Sequence, residues 1–354
     1  MYTLKIIVLT LLIAAGFYIF VYKKPVNIVS EEAENYVKEE NVKNTEIDVS
    51  NIGVDYLRQL EIDSEASVIE EEFADGSNYN QYLASYKSDK YKIYGLLTVP
   101  KEDPPAGGYS AIVFIHGYIP PDQYVTTEKY IAYVDYLARN GFVVFKIDLR
   151  GNGNSEGTST GSYFSSGYTI DAISALKSLQ KLDYVNPEKI GMWGHSMAGN
   201  AILRAMLVEN DIKAGVIWSG AVYSYEDFAK YRLNDGSYVR RQNDPHYQVD
   251  NTRSAMAREV LKFRDGSEID FNNEFWSSAS LTKNIDYLIS PLQLHHALND
   301  TVVNIGYARD LSKVLEDNNK KFELLEHEGG GHNIDSPYFE VAMERTVRFF
   351  KENL

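Results

Sequence analysis

The feature that most constrains the fold is an alternation between short apolar segments and segments of helix length. The short apolar runs lie at 111–115, 142–147, 190–193, 214–218, 292–295 and 322–325. Such runs are typical of parallel strands that are buried on both faces. Segments with helical apolar spacing separate most of these runs, at 126–139, 169–181, 197–208, 305–316 and 337–351. The alternation predicts an α/β fold with a doubly wound, mostly parallel sheet.

Two further segments belong to the domain that we predict over residues 80–354. Residues 82–86 and 91–99 are rich in tyrosine and alternate partially, which predicts paired strands leading into the sheet. A polar segment at about 223–287 interrupts the alternation and predicts an inserted cap. The rings of this cap could line a pocket or form the cap's own core; they are Tyr223, Tyr225, Phe228, Tyr231, Tyr238, Tyr247 and Phe275.

Residues 1–24 contain an apolar run, Ile6 to Tyr22, that is seventeen residues long and free of charge. This length is close to the minimum for a membrane span. Bulky residues continue up to Lys23 without a small-residue cleavage site, so we expect an uncleaved single-pass anchor. Lysines on both sides leave the positive-inside rule undecided. The signal-anchor pattern before a large acidic body favours a body that lies outside the cytoplasm.

Residues 25–79 are predicted to form an acidic stalk between the anchor and the domain. Residues 31–75 carry fifteen carboxylates against three basic side chains, which is typical of a solvated linker. The net charge of −15 argues against a nucleic-acid partner, because such proteins must neutralise phosphates. The absence of cysteine excludes disulfides, thiolate metal sites and a cysteine nucleophile.

The segment GMWGHSMAGN, residues 191–200, marks Ser196 as a candidate nucleophile. An apolar strand that ends in Gly-x-Ser and leads directly into a helix predicts a tight turn presenting the serine at the edge of the sheet. The usual pattern has glycine two residues after the serine, where this chain has Ala198 followed by Gly199. A helix-capping serine fits the same residues, so the motif alone leaves both interpretations open.

A nucleophilic serine needs a histidine base that is oriented by a carboxylate. Asp300 in QLHHALNDTVVN follows one apolar strand, and His332 in HEGGGHN follows the next. This order, acid before histidine, is the one expected in a doubly wound hydrolase. Each residue has an alternative interpretation, because Asp300 can cap a turn and His332 can be an accessible loop residue.

The remaining histidines are weaker candidates. His195 is expected to point away from the site in a tight turn, and His295 to be buried in a strand. Three others lack a partner pattern: His246, His296 and His327. His327, Glu328 and His332 do not share a helix face, so we expect no metal site and no cofactor.

Backbone amides are the expected donors to an oxyanion, and two positions qualify. Met197 begins the helix after Ser196, and Tyr118 follows the strand end in AIVFIHGYIPP. We expect His116 to pack against the nucleophile loop. The loop DLRGNGNSEG, residues 148–157, matches no phosphate-binding pattern, and its Asp148 and Arg150 are predicted to form a buried pair.

Together these motifs resemble the catalytic domain of α/β-hydrolases related to the prolyl oligopeptidase family. The resemblance is carried by HGY at 116–118, DLRGNGNSEG at 148–157, GHSMAG at 194–199, HALNDTVVN at 296–304 and GGGH at 329–332. Within that family it is strongest to the dipeptidyl aminopeptidase and acylaminoacyl-peptidase branch, and it extends to dienelactone-hydrolase-like esterases.

The resemblance covers about residues 80–354. It implies that Ser196 is the nucleophile, Asp300 the acid and His332 the base, with Tyr118 and Met197 as oxyanion donors. The β-propeller of the longer family members does not fit into residues 25–79, so their peptide specificity is not implied.

Three functions follow as hypotheses. A serine peptidase of prolyl-oligopeptidase type comes first, with a small peptide as its substrate. A carboxylesterase acting on small or lipid-like esters comes second. A catalytically inactive surface module that binds a ligand in the same cleft comes third. The sequence leaves the oligomeric state open.

Overall fold

In the computed structural model, which describes residues 47–233, 262 and 268–354, nine strands form one sheet. They are β1 Val68–Glu72, β2 Tyr79–Ser88, β3 Tyr91–Pro100, β4 Tyr109–Ile115, β5 Val143–Ile147, β6 Val185–His195, β7 Gly215–Trp218, β8 Leu292–Ala297 and β9 Phe322–His327. Their spatial order is β1-β2-β3-β5-β4-β6-β7-β8-β9. The pairs β1–β2, β2–β3 and β3–β5 are antiparallel, and the remaining pairs are parallel. The predicted mostly parallel sheet is therefore confirmed.

Helices cover both faces of the sheet. In the described part of the chain they are α1 Val54–Arg58, α2 Ile131–Arg139, α3 Gly167–Leu179, α4 Ala198–Val208, α5 Tyr225–Tyr231, α6 Glu274–Ala279, α7 Gly306–Asp317 and α8 Phe339–Asn353. Helices α1, α3, α4 and α7 pack into one hydrophobic core, while α2 and α8 pack into a second. Two cores separated by one sheet are what the doubly wound arrangement requires.

The central strand β4 shows why the short runs detected in the sequence are mainly apolar. Ala111, Val113 and Ile115 belong to the first core, whereas Ile112 and Phe114 belong to the second. All five side chains are fully buried. Successive side chains of a strand point to opposite faces, so these five residues meet an apolar core on whichever side they face.

The compact body begins earlier than the sequence predicts. Asp48–Leu354 forms one unit, and Ile52, Val54 and Leu57 are fully buried. Ile52 and Val54 belong to the first core. The guanidinium of Arg58 donates a hydrogen bond of 2.6 Å to the Leu207 carbonyl at the end of α4. The boundary predicted at residue 80 therefore moves to about residue 48. The acidic residues around this segment stay at the surface while its apolar residues anchor it.

The predicted membrane anchor, residues 1–24, lies outside the described residues and stays a prediction. The same holds for residues 25–46 of the predicted stalk. Among the helices of residues 47–233 and 268–354, none has the length and apolar character needed to cross a bilayer.

The insertion between β7 and β8 is described at both of its ends. The Tyr225 ring lies 4.7 Å from the Trp276 ring and 5.8 Å from the Phe164 ring, measured between centroids. Tyr223 and Phe228 are also buried. The rings at these two ends therefore take part in the packing of the insertion. Tyr238 and Tyr247 lie outside the described residues.

The loop after β5 differs from its prediction. Arg150 is buried, but it pairs with Asp171 of α3 at 2.7 Å, not with Asp148. Asp148 accepts hydrogen bonds of 2.6 Å from the hydroxyls of Tyr124 and Thr126. The left-handed backbone of Leu149, φ 62°, lies between the two residues, and their side chains reach different partners.

A pair of buried histidines joins β8 to β9. His295 Nδ1 lies 3.0 Å from His327 Nε2, and both residues are buried, as predicted for His295. Burial and nearby Arg345 together lower the pKa of His327 to about 4. Burial and His327 hold the pKa of His295 well below its ordinary value. Both rings are therefore neutral in the folded protein near pH 7.

Replacing Leu57 with alanine tests whether the segment before residue 80 belongs to the body. Leu57→Ala should lower the free energy of unfolding by about 2–5 kcal/mol, because it leaves a cavity in a closed core. Urea denaturation measures the loss. Gln59→Ala, an exposed position on the same segment, should change little. Equal stabilities for the two variants would show that the segment does not contribute to the core.

Acid should destabilise the fold through the buried histidines. An unfolded histidine titrates near 6.5, whereas folded His327 titrates near 4. Between these two pH values the unfolded chain binds more protons than the folded chain. The contribution of His327 to the free energy of unfolding is therefore fully present above about pH 6.5 and is lost as the pH drops towards 4. The free energy of unfolding should therefore fall less in His327→Gln than in the wild type between pH 7 and pH 5. Equal decreases would contradict this assignment.

Candidate active site

Ser196 lies in a tight turn between β6 and α4. Its φ of 57° is in the left-handed region, which side chains other than glycine rarely adopt. The backbone N–H of Ser196 donates a 2.8 Å hydrogen bond to the Trp218 carbonyl at the end of β7. This bond fixes the turn to the neighbouring strand, and the strained backbone presents the serine at the carboxyl edge of the sheet.

Small residues around Ser196 are required by close packing. A Cβ atom at Gly194 would lie 2.6 Å from Ile202 Cδ1 and 2.8 Å from the Ala198 Cβ. The turn therefore accepts the alanine methyl at position 198 because the facing position has no side chain. This explains why the departure from the usual glycine leaves the turn intact.

The loop after β9 carries His332 on a short 3₁₀ turn, Gly331–Asn333. Gly330 and Gly331 have φ values of 100° and 62°, and this left-handed backbone brings the histidine back over the sheet edge. The N–H of Gly331 donates a 2.8 Å hydrogen bond to Asn299 Oδ1, which links this loop to the loop that carries Asp300.

The three candidate residues form one hydrogen-bonded row. His332 Nε2 lies 2.9 Å from Ser196 Oγ, and His332 Nδ1 lies 2.8 Å from Asp300 Oδ2. Ser196 is 3% exposed, and the side chains of His332 and Asp300 are 18% and 0% exposed. Strands β6, β7, β8 and β9 are consecutive parallel strands of the sheet, so the loops after β6, β8 and β9 lie at the same carboxyl edge. In this geometry the imidazole can take a proton from the serine hydroxyl while the carboxylate holds its other nitrogen.

The Asp300 carboxylate is stabilised in its charged form. Its Oδ1 accepts hydrogen bonds from the backbone N–H groups of Val302 and Val303 at 2.8 and 3.0 Å. Burial alone would raise the pKa of Asp300, but hydrogen bonds from His296 and His332 and these backbone donors lower it far below its ordinary value. Asp300 is therefore ionised throughout the neutral range.

His296 is a neighbour of the site that sequence reasoning missed. Its Nε2 lies 3.0 Å from the Val303 carbonyl oxygen and 3.4 Å from Asp300 Oδ2, and the residue is fully buried. A signal was present in the sequence, because His296 stands near the end of a strand and four residues before the acid. The carboxylate thus lies between two imidazoles.

The two predicted oxyanion donors follow the ends of two paired parallel strands, β4 and β6. Met197 is the N-terminal cap of α4, and Tyr118 follows the end of β4, the strand beside β6. Within the described residues, the backbone N–H groups of Met197 and Tyr118 donate no hydrogen bond. His116 is buried, with its Nδ1 2.6 Å from the Gly117 carbonyl oxygen and its Nε2 3.1 Å from the Asp148 carbonyl oxygen.

His195 also differs from its prediction. It packs against His332, with 4.5 Å between ring centroids, and its Nε2 lies 2.8 Å from the His332 carbonyl oxygen. Its Nδ1 lies 2.7 Å from the hydroxyl of Tyr130, a residue that no sequence motif marked. The side chain therefore lies under the site instead of pointing away from it.

Known proteins resemble this chain in sequence and in fold. The family model described as "Serine aminopeptidase, S33" matches residues 109–334. The human protein ABHD12B is 23% identical over 209 residues, which are 58% of this chain and 50% of that protein. The chain thus spans about half the length of this relative.

Two solved structures illustrate the fold. The acylaminoacyl peptidase of Pyrococcus horikoshii superposes with a TM-score of 0.59 at 19% identity, covering 78% of this chain and 42% of the peptidase. Acetyl xylan esterase 1 of a Thermoanaerobacterium species gives 0.57 at 15% identity, covering 85% of this chain and 92% of the esterase. The expected α/β-hydrolase fold is confirmed. The chain belongs to the serine aminopeptidase family S33.

Proposed function

We propose that the protein hydrolyses its substrate through an acyl-enzyme formed on Ser196. The observation that carries this proposal is the row of two hydrogen bonds, 2.9 Å from Ser196 to His332 and 2.8 Å from His332 to Asp300. A serine hydroxyl is a weak nucleophile at neutral pH, and a base within hydrogen-bond distance activates it.

In the first half of the reaction, Ser196 Oγ attacks the substrate carbonyl carbon while His332 Nε2 takes the hydroxyl proton. The tetrahedral intermediate collapses when the same nitrogen returns that proton to the leaving group, an amine or an alcohol. Water then attacks the acyl-enzyme, again through His332, and releases the acid and free Ser196. No cofactor enters the balance of these steps.

Asp300 supports both halves of the reaction because its carboxylate accepts a hydrogen bond from the Nδ1–H of His332. The bond fixes the tautomer in which Nε2 faces Ser196, and the negative charge stabilises the imidazolium that forms. The low pKa of Asp300 keeps the carboxylate as an acceptor throughout.

The backbone amides of Tyr118 and Met197 are the proposed donors to the intermediate's oxyanion. Their N–H groups have no other acceptor among the described residues. Met197 also stands at the start of α4, where the helix dipole favours negative charge. Preorganised donors of this kind are among the largest contributions to catalysis in such enzymes.

Replacing Asp300 with asparagine tests the role of the acid. Asp300→Asn should lower kcat by about 10⁴-fold while the fold persists, because the amide favours the wrong histidine tautomer. Steady-state kinetics and far-UV circular dichroism measure the two effects. Asp335→Asn, an exposed position three residues after His332, is the matched control and should keep wild-type turnover. A near-normal rate for Asp300→Asn would assign the role to another carboxylate.

For the substrate, we propose a small peptide. This is supported by the family description, serine aminopeptidase, and by the peptidase among the similar structures. A carboxylesterase is the second candidate, because the similar esterase matches over nearly its whole length. Both reactions use the same acyl-enzyme, so the catalytic row supports either one.

A substrate panel on the wild type and Ser196→Ala separates these functions. We expect cleavage of aminoacyl anilides, together with labelling by a fluorophosphonate probe, and the loss of both in Ser196→Ala. Cleavage confined to p-nitrophenyl esters would assign the esterase function. A wild type that the probe does not label would indicate an inactive binding module.

A further inference from the structure

A second hydrogen-bonded chain lies beneath the catalytic row and involves neither Ser196 nor Asp300. The Tyr130 hydroxyl accepts a 3.1 Å hydrogen bond from the Gly117 N–H and lies 2.7 Å from His195 Nδ1. On its other side, His195 Nε2 lies 2.8 Å from the His332 carbonyl oxygen. The chain therefore runs through the turn before Tyr118, the nucleophile strand and the histidine loop.

The direction of every proton in this chain is determined. The His332 carbonyl can only accept, so His195 carries its proton on Nε2. His195 is 2% exposed, and burial together with nearby His332 lowers its pKa to about 3, so the ring is neutral. A neutral ring with a proton on Nε2 accepts at Nδ1. Tyr130 therefore donates to His195, and its oxygen accepts from Gly117.

Close packing leaves this arrangement little freedom. A Cβ atom at Gly117 would lie 2.7 Å from the Tyr130 oxygen and 3.0 Å from His195 Nδ1. Tyr130 itself has a left-handed φ of 64° at the N-terminal cap of α2. A strained residue persists where its surroundings fix it, and such residues cluster at functional sites.

We propose that Tyr130 and His195 are positioning residues that hold the oxyanion turn, Gly117–Tyr118, in register with Ser196 and His332. The inference rests on the proposed function, because it requires the Tyr118 amide to face the reacting carbonyl. Neither residue touches the substrate. Both residues act by linking the oxyanion turn, the nucleophile strand and the histidine loop. In this chain each hydrogen-bond donor faces the next acceptor, from Gly117 to the His332 carbonyl.

The first test is kinetic. Tyr130→Phe keeps the ring that packs beside Phe114 and Trp193 but removes both hydrogen bonds of the hydroxyl. We expect kcat to fall by about 10- to 100-fold with KM within about twofold, because a displaced donor is felt in the transition state. Tyr136→Phe on the same helix is the matched control and should keep wild-type values. Wild-type kcat in Tyr130→Phe would overturn the proposal.

A double-mutant cycle separates positioning from general stability. His195→Phe interrupts the same hydrogen-bonded chain at the residue next to Tyr130. The fold-losses of kcat in Tyr130→Phe and His195→Phe should therefore not multiply in the double variant. Full multiplication would mean that the two side chains act independently, which contradicts the proposal. His195→Gln retains an N–H that can reach the His332 carbonyl and should recover part of the activity lost in His195→Phe.

Nitrogen NMR of the imidazoles tests the chain in the wild type, without any variant and without a substrate. His195 should show a single neutral tautomer, with its proton on Nε2, from pH 5 to pH 8. A proton on Nδ1, or titration within that range, would overturn the proposal. If the proposed function fails, fluorophosphonate does not label Ser196 whatever the tautomer. If labelling succeeds but the tautomer is wrong, only the positioning role fails.

Discussion

The left-handed turn at Ser196 is the constraint on which the rest of the site depends. A serine with φ 57° is strained, and the surrounding structure must offset that strain. Here the offset comes from the hydrogen bond of its N–H to the end of β7 and from the fit of Gly194 against Ala198 and Ile202. The turn directs the hydroxyl towards His332 on one side and begins α4 on the other. One backbone conformation thus supplies both the proposed nucleophile and a proposed oxyanion donor.

The sheet converts this local turn into a shared site. The candidate residues are 104 and 32 positions apart in the sequence, yet they follow strands whose carboxyl ends lie at one edge. The loops are then tied to one another by specific bonds, including Gly331 to Asn299 and His195 to the His332 carbonyl. Because these hydrogen bonds hold the loop that carries His332, its imidazole has little freedom to move away from its position between Ser196 and Asp300.

The sequence predicts the fold where periodicity reflects burial. The strand runs and the order of Ser196, Asp300 and His332 follow from two-sided burial and from the way parallel strands end. The sequence places the start of the body at residue 80, because the acidic composition of residues 48–79 is typical of a linker although three aliphatic residues within it are buried. Their closeness in the sequence predicts an ion pair between Asp148 and Arg150, but Leu149 between them has a left-handed backbone and the two side chains bind different partners. Tyr130 carries no local signal, because its partners lie 13 and 65 residues away.

The most direct measurement is a crystal structure of the protein after reaction with a fluorophosphonate, whose adduct is a stable mimic of the tetrahedral intermediate. We expect phosphorus bonded to Ser196 Oγ and the phosphoryl oxygen at about 3 Å from the backbone nitrogens of both Tyr118 and Met197. His332 should remain between Ser196 and Asp300. An adduct on another residue, or an oxygen directed away from both amides, would contradict the account.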